Sequence, residues 1–204
     1  GLREGLMAVM FALLGLTLEC TWRHAVELRN CSDVSIANST VRNTGNAAVV
    51  IKGGWRNSVV GCDIYDTGEG GVILNGGDKE TLTPGGHLVE NNHIYRFNRL
   101  SHGAAYAVGV RGVGHRVSHN LIHDGTYIAV IFSGNDHVIE YNEIYDVMTE
   151  ARDGGAIYTY GAPLYLMNRG NVLRYNFLHH ITEHSSPLKT HQVSSLYIDA
   201  FNAG

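Results

Sequence analysis

The amino-acid sequence predicts an all-β solenoid, a right-handed parallel β-helix of about seven coils. Three observations predict it: a short β-rich segment recurs, its apolar and polar positions alternate, and a second recurring phrase contains Asn followed by an aliphatic residue. Internal repetition of this kind is typical of solenoids, in which each unit covers the apolar surface of the next unit.

The β-rich segment begins at seven places that lie 23, 23, 36, 22, 27 and 39 residues apart, which fits a base period of 22–23 residues with insertions. Its second and fourth positions are apolar in thirteen of fourteen cases, whereas its fifth position never holds an aliphatic residue. This alternation predicts strands with one buried face. The copies are AVELRN (25–30), AVVIKG (48–53), GVILNG (71–76), AVGVRG (107–112), AVIFSG (129–134), AIYTYG (156–161) and SLYIDA (195–200).

The second phrase supplies the rest of each coil. Its column of asparagines is Asn92, Asn120, Asn142 and Asn176, and two residues after each of them stands Ile94, Ile122, Ile144 or Leu178. Asparagine suits a tight corner because it tolerates the left-handed backbone region. Coils stacked about 4.8 Å apart would join these side chains into a ladder. Each unit is therefore predicted to hold three short strands separated by turns.

The length of 204 residues fits one β-helix domain over 1–204, with 1–20 as an N-terminal coil or cap. Because the chain starts at Gly1 and stops at Gly204, we expect it to be a fragment of a longer protein. The apolar run 6–16 is too short to span a bilayer, so no membrane partner is predicted. The formal charge of −4 gives no reason to expect a nucleic-acid partner, and we expect a monomer.

Function in a solenoid must use the outer surface and its loops, because the core holds no pocket. The insertions 76–86, 147–155, 161–170 and 181–193 flank the outward face of the first strand. Aromatic rings and charged groups on that face suit an extended polysaccharide or oligosaccharide, although scattered tyrosines on a solvated sheet are the alternative. The residues of this face are Glu27, Lys52, Arg111, Tyr158, Tyr160, Tyr197 and Asp199.

Two segments, ARDGGAIYTYG (151–161) and LYIDAFNAG (196–204), resemble the D-x-G-A-hydrophobic-Tyr and Tyr-hydrophobic-Asp-Asp segments of bacterial β-helix proteins associated with polysaccharide breakdown. The chain as a whole resembles the pectate-lyase-like superfamily, and the nearest group is glycoside hydrolase family 141, whose activities include fucosidase and xylanase. The resemblance implies catalytic carboxylates at Asp153 and Asp199 and a secreted or periplasmic location. Where the pattern has a second Asp, this chain has Ala200.

The spacing of these carboxylates leaves two alternatives open. Glycosidases use two carboxyl groups about 5–9.5 Å apart, whereas a straight path from Asp153 to Asp199 would be about 23 Å. Either the Gly154-Gly155 turn folds Asp153 back over the strand, or one of the pair has a different partner. Asp124 on the neighbouring coil is a substitute, but Asp66 occupies the equivalent place in an earlier coil, as expected of a turn residue.

Further acid or base candidates lie nearby. Glu150 and Glu183 fall in the flanking loops, and His123 and His180 are predicted near the same face. The column His87, His115 and His137 tempts a metal interpretation. A straight stack cannot close three nitrogens around one zinc ion, so these histidines are interpreted as repeated turn residues, and no metal or cofactor is predicted.

Three functions follow, in this order of preference. The first is a glycoside hydrolase that acts through paired carboxylates. The second is a polysaccharide lyase that removes a proton next to a uronate carboxyl group, for which Lys52 and Arg111 are the basic candidates. The third is a non-catalytic carbohydrate-binding solenoid, since a fold does not decide among these functions.

Overall fold

The computed structural model describes residues 11–103, 105–151, 153–160, 168–181 and 193–199. These residues form 21 strands in seven coils of three strands each. Among them there is no helix of the length and apolarity that crossing a membrane requires.

In chain order the strands are β1 (Phe11–Leu14), β2 (Thr17–Thr21), β3 (Val26–Arg29), β4 (Val34–Ala37), β5 (Thr40–Thr44), β6 (Val49–Lys52), β7 (Ser58–Val60), β8 (Asp63–Tyr65), β9 (Val72–Gly76), β10 (Leu88–Glu90), β11 (His93–Tyr95), β12 (Val108–Val113), β13 (Arg116–Ser118), β14 (Leu121–His123), β15 (Val130–Asn135), β16 (Val138–Glu140), β17 (Glu143–Tyr145), β18 (Gly154–Thr159), β19 (Val172–Arg174), β20 (Phe177–His179) and β21 (Val193–Ile198).

Every third strand belongs to the same parallel sheet. Sheet A has the order β1-β4-β7-β10-β13-β16-β19, sheet B the order β2-β5-β8-β11-β14-β17-β20, and sheet C the order β3-β6-β9-β12-β15-β18-β21. Each coil contributes one strand to each sheet and rises to pair with the next coil. The chain is therefore a right-handed parallel β-helix, as the sequence predicts.

The predicted alignment of the β-rich segments is confirmed in sheet C. Val72 lies opposite Val49 on one side and Val108 on the other, and Val130 lies opposite both Val108 and Ile157. These pairings hold across coils separated by 22 to 36 residues, so the insertions lie between strands and leave the register intact.

The inward side chains form the hydrophobic core. All three sheets contribute fully buried aliphatic residues, such as Val89 in sheet A, Ile94 in sheet B and Val108 in sheet C. Thr159 is the polar residue among the inward second and fourth positions of the β-rich segments. It is tolerated in the core because its Oγ1 donates a hydrogen bond to the carbonyl of Phe132 at 2.9 Å. On β21, the last described strand, the residues at the same inward positions, Leu196 and Ile198, are exposed.

The asparagine column lies at the corner between sheets A and B and forms the predicted ladder. The Oδ1 atom of Asn120 accepts the backbone N–H of Asn92 at 3.0 Å, and its Nδ2 donates to the carbonyl of Val89 at 3.0 Å. Asn142 repeats both bonds one coil further on. Buried backbone groups at the corner are thereby satisfied by the side chain of the next coil.

The column of His87, His115 and His137 forms a second ladder, at the corner between sheets C and A. The Nδ1 atom of His115 accepts the backbone N–H of His87, and Nδ1 of His137 accepts that of His115, both at 3.1 Å. Nε2 of His115 lies 3.1 Å from the carbonyl of Arg111 and donates to it. Burial lowers the pKa of the three imidazoles to about 4, about 3 and about 4, so that they are neutral at pH 7.

Replacing Asn120 with Ala should lower the free energy of unfolding by about 3 kcal/mol, because the buried amides that it satisfies lose their partners. Denaturant unfolding measures the change. Asn75→Ala is the matched control, since Asn75 is exposed on the outward face of β9, and it should cost little. Equal losses in the two variants would contradict a stabilising ladder.

The histidine ladder should make stability depend on pH. Above the ordinary pKa of 6.5 the imidazoles are neutral in both states, whereas below it the unfolded chain takes up protons that the folded chain excludes. Stability should therefore fall as the pH is lowered from about 6.5 to about 4, by about 1.4 kcal/mol per pH unit for each histidine.

His115→Asn tests this dependence, because Asn57 and Asn171 hold the same column and accept the same backbone bond. Denaturant midpoints measured between pH 7.5 and pH 4.5 should fall less steeply in the variant. A slope equal to that of the unaltered protein would contradict the assignment.

Candidate functional site

The candidate site lies on the outward face of sheet C, where two tyrosines from neighbouring coils stack. Tyr158 of β18 lies opposite Tyr197 of β21 in the strand register. Their ring centroids are 5.5 Å apart and the ring planes differ by 16°. We call these two residues the tyrosine pair.

Both predicted catalytic carboxylates contact the tyrosine pair. The hydroxyl of Tyr158 donates to Oδ2 of Asp199 at 2.6 Å. Asp153 lies close enough to Tyr197 for its charge, followed by that of Asp199, to raise the pKa of the Tyr197 hydroxyl. The structure therefore brings Asp153 and Asp199 together around one pair of rings, although they lie at opposite ends of their strands.

The way in which Asp153 reaches the site differs from the predicted glycine turn. Gly154 and Gly155 are the first residues of β18, and the change of direction occurs at Asp153 itself, whose φ of 60° is left-handed. The glycines have another role, which is close packing. A Cβ at Gly155 would lie 3.0 Å from Cβ of Tyr197, and a Cβ at Gly154 would lie 2.8 Å from Cε of Met148.

The surroundings keep the tyrosine hydroxyls protonated. Burial, followed by the hydrogen bond to Asp199, raises the pKa of Tyr158 far above its ordinary value of 10.0. The charge of Asp153, followed by that of Asp199, raises the pKa of Tyr197. At neutral pH both tyrosines therefore keep their protons and are not bases, and Tyr158 donates its hydroxyl proton to Asp199 in a hydrogen bond.

A small apolar cluster outside the solenoid core holds the loop that precedes β18. Met148 and Ala151 are buried against Ile128 on the outward side of sheet C. Tyr106 and Tyr127 pack on the same cluster, with ring centroids 5.9 Å apart. Burial, the neighbouring Tyr106 and the charge of Asp153 raise the pKa of Tyr127, so this second ring pair lies near Asp153.

Sequence analysis missed Tyr106 and Tyr127, although a countable signal was present. Sixteen residues separate the corner residue Asn92 from Val108 of sheet C, whereas ten separate Cys62 from Val72 one coil earlier. Part of the 36-residue interval is therefore a second insertion, which carries Tyr106.

Glu150 connects this second insertion with the loop before β18. Its Oε2 lies 2.7 Å from Nδ1 of His102, and both side chains are exposed. Glu150 is thus placed on the rim of the site as a link between two loops. Glu183, another acid candidate, lies outside the described residues, as does Ala200.

The remaining predicted residues of this face lie further along it. Tyr160 is half exposed next to β18 and follows the same outward column as Asp199. Arg111 stands in that column three strands from Asp199, a separation of about 14 Å at the spacing of strands in a sheet. Lys52 lies further still and is paired with Glu27 at 3.0 Å.

The interpretation that placed His123 and His180 near this face is wrong. The alternation of β14 points the ring of His123 outward from sheet B, where it stacks between Tyr95 and Tyr145 at 5.3 and 4.7 Å. His180 follows β20 of the same sheet and contacts His179, with 2.6 Å between their Nδ1 atoms.

Asp124 lies directly after β14, a strand of sheet B. It is the turn residue that follows His123, with a φ of 52°, as Asp66 follows β8 with a φ of 53°. Its Oδ2 lies 3.0 Å from Nδ1 of His123. These contacts fit the turn-residue alternative, and they join Asp124 to His123 rather than to the tyrosine pair.

Two surface cavities, of about 390 and 530 Å³, lie elsewhere on the described surface. Trp22, Arg99 and Leu100 line the first, near the N-terminal coils, and Gly77 and Lys79 are among the residues that line the second. Neither of these two cavities is lined by the tyrosine pair or by its carboxylates.

Asp153→Asn should lower the pKa of Tyr197, because the charge of Asp153 is the largest cause that raises it. Asn tolerates the left-handed backbone of this position. Titration of ¹³Cζ-labelled tyrosines by NMR measures the change. Asp136→Asn is the control. Asp136 also has a left-handed backbone, but it follows the C-terminal end of its strand, β15, whereas Asp153 precedes the N-terminal end of β18. An unchanged pKa of Tyr197 in Asp153→Asn would contradict the contact.

The match to a known family model agrees with the fold. Residues 13–83 match the family model described as right handed beta helix region. No curated protein matches the chain. Among solved structures, the mannuronan C-5 epimerase AlgE4 A-module of Azotobacter vinelandii is similar with a TM-score of 0.49 and 9% identity. That likeness covers 95% of this chain and 56% of the epimerase module, so the chain spans little more than half the length of that structure.

Proposed function

We propose that this chain is part of a carbohydrate-active β-helix enzyme that hydrolyses glycosidic bonds, with Asp153 and Asp199 as its catalytic carboxylates. The observation that carries the proposal is the contact of both carboxylates with one stacked tyrosine pair. Glycosidases need two carboxyl groups close to one another, and here Tyr158 donates to Asp199 while the charge of Asp153 acts on both tyrosines.

The two carboxylates suit different roles. Asp199 accepts a short hydrogen bond from a hydroxyl that stays protonated, and this bond orients it as the ionised partner, the nucleophile or base. Asp153 is exposed at the end of the loop before β18, where a bound sugar would meet it. We assign to Asp153, in its protonated form, the transfer of a proton to the leaving oxygen, and the water that completes the hydrolysis returns that proton.

The same electrostatics favour hydrolysis over elimination. A lyase needs a base that removes a proton next to a uronate carboxyl group, and neighbouring cations that neutralise that carboxyl group. Tyr158 and Tyr197 have raised pKa values and face two negative charges, which is the opposite environment. The basic candidates do not correct this, because Lys52 is paired with Glu27 and Arg111 stands three strands away.

The tyrosines also indicate how a sugar chain would bind. Tyr106, Tyr127 and the tyrosine pair present aromatic carbon and hydroxyl groups on the outward side of sheet C. Sugar rings combine apolar faces with hydroxyl groups, so they can pack on the rings and hydrogen-bond at the rim. A polysaccharide or oligosaccharide is the proposed substrate, and a secreted or periplasmic monomer is the proposed form of the protein.

Asp153→Asn and Asp199→Asn should each reduce the release of reducing sugar by about 10²–10⁴-fold, because each removes one of the two groups that the reaction requires. The experiment is the digestion of a glycan panel by the full-length protein, read by a reducing-end assay and by ultraviolet absorbance. Asp136→Asn should retain full activity, since it makes the same chemical change at an exposed turn outside the site.

Other outcomes separate the alternatives. New ultraviolet absorbance from uronate-containing polymers alone would identify a lyase. Retention of a polysaccharide in an affinity gel without any product would identify a binding module. Undiminished hydrolysis in both variants would show that the carboxylates are not catalytic.

A further inference from the structure

A file of stacked rings runs along the outward face of sheet B, on a different side of the solenoid from the tyrosine pair. Its centroid spacings are 4.9, 5.3, 4.7 and 4.9 Å. The ring of His93 lies beside this file and stacks on Tyr95 at 4.3 Å. The file consists of Tyr65, Tyr95, His123, Tyr145 and His179.

His93 and His123 point the same ring atom at each other across adjacent coils. Their Nε2 atoms are 2.7 Å apart. Nδ1 of His123 lies 3.0 Å from Oδ2 of Asp124, and Nδ1 of His93 lies 3.5 Å from Oδ1 of Asp63. We call His93 and His123 the histidine pair.

The carboxylates determine which nitrogen carries the proton. Asp124 is an acceptor at hydrogen-bond distance, so it favours the tautomer of His123 that carries its proton on Nδ1. Asp63, at 3.5 Å from Nδ1 of His93, favours the same tautomer of His93 through its charge. The neutral rings then direct two Nε2 lone pairs at each other. The repulsion between the lone pairs is relieved either when one ring moves its proton to Nε2 and donates it to the other, or when a metal ion lies between the nitrogens.

In the tautomers that the carboxylates favour, the two rings direct their Nε2 atoms at one point, and a carboxylate lies beside each Nδ1 atom. In metal sites a carboxylate on the second nitrogen fixes the tautomer and raises the basicity of the ligand.

We propose that the histidine pair binds a divalent transition-metal ion of borderline softness, Cu²⁺, Ni²⁺ or Zn²⁺, through the two Nε2 atoms. Imidazole suits these ions and Cu²⁺ binds most tightly of the series. No group of three or more ligating side chains occurs in the described part of the chain, so water molecules complete the coordination. The site is independent of the proposed hydrolysis.

The change in geometry that the metal requires is small. Bonds of about 2.0–2.1 Å at a tetrahedral ion place two nitrogens about 3.3 Å apart, against 2.7 Å here. His123 is 13% exposed and clamped by rings on both faces, whereas His93 is 37% exposed and stacks on Tyr95. Rotation of the His93 ring, which is the more exposed of the two, would lengthen the distance between the Nε2 atoms.

Cu²⁺ titration of the full-length protein, with calorimetry and electron paramagnetic resonance, tests the proposal. The unaltered protein should show a site with two nitrogen ligands, and His93→Phe and His123→Phe should each weaken it by tenfold or more. Phe keeps an aromatic ring in each stack but offers no nitrogen. His180→Asn is the matched control, because it alters the neighbouring His179–His180 contact, and it should leave the site intact.

Two outcomes of the titration overturn the proposal. The first is equal affinity and stoichiometry in the unaltered protein and both Phe variants, and the second is loss of the site only in His180→Asn. A measurement on the unaltered protein guards against variants that fail to fold. Substoichiometric Cu²⁺ should broaden the imidazole NMR signals of His93 and His123 before those of other histidines, and uniform broadening would also overturn the proposal.

Discussion

The rest of the structure depends on satisfying the backbone groups at the corners of each coil. Inside the sheets, N–H and C=O groups pair with the coils above and below, but at a corner the chain turns away from that pattern. Here a side chain of the next coil completes the pairing: Asn120 accepts the N–H of Asn92, and His115 accepts that of His87. Because a buried amide without a partner costs about 1–3 kcal/mol, these positions fix one coil directly above another.

This constraint decides where a functional site can form. Coils that must superimpose cannot change inside the strands, so additional residues enter only at the corners. The insertions that carry Tyr106 and Met148 both lie between sheets B and C, and they fold onto the outward face of sheet C. The result is a local apolar cluster beside a regular sheet, and it is this cluster that positions the loop ending at Asp153.

The sequence reveals the sheets because strand alternation and burial are both local. Val72, Val108 and Val130 are recognisable as one inward column without knowledge of any contact, and the structure places them opposite one another. The contact between Asp153 and Tyr197 was not predictable in this way. A path length along the backbone ignores a side chain that reaches across from the neighbouring coil, and the packing space at Gly155 that admits Tyr197 has no pattern in the sequence.

The position of His123 was misjudged for a related reason, because sequence distance to a strand does not show on which side of a corner a residue lies. The partner of Nδ1 then separates two kinds of histidine in this solenoid. In the buried column, Nδ1 of His115 accepts a backbone N–H, so Nε2 carries the proton and donates to the carbonyl of Arg111.

On the outer face of sheet B, Nδ1 of His123 meets the carboxylate of Asp124, so it carries the proton and leaves the lone pair on Nε2. The same residue type therefore has both ring nitrogens engaged by the backbone in the corner ladder, whereas on the outer face Nε2 of His123 meets only the ring of His93 among the described residues. Stacking alone therefore does not distinguish a structural histidine from a ligand-binding one. The hydrogen-bond partner of Nδ1 distinguishes them, because it determines whether Nε2 carries a proton or a lone pair.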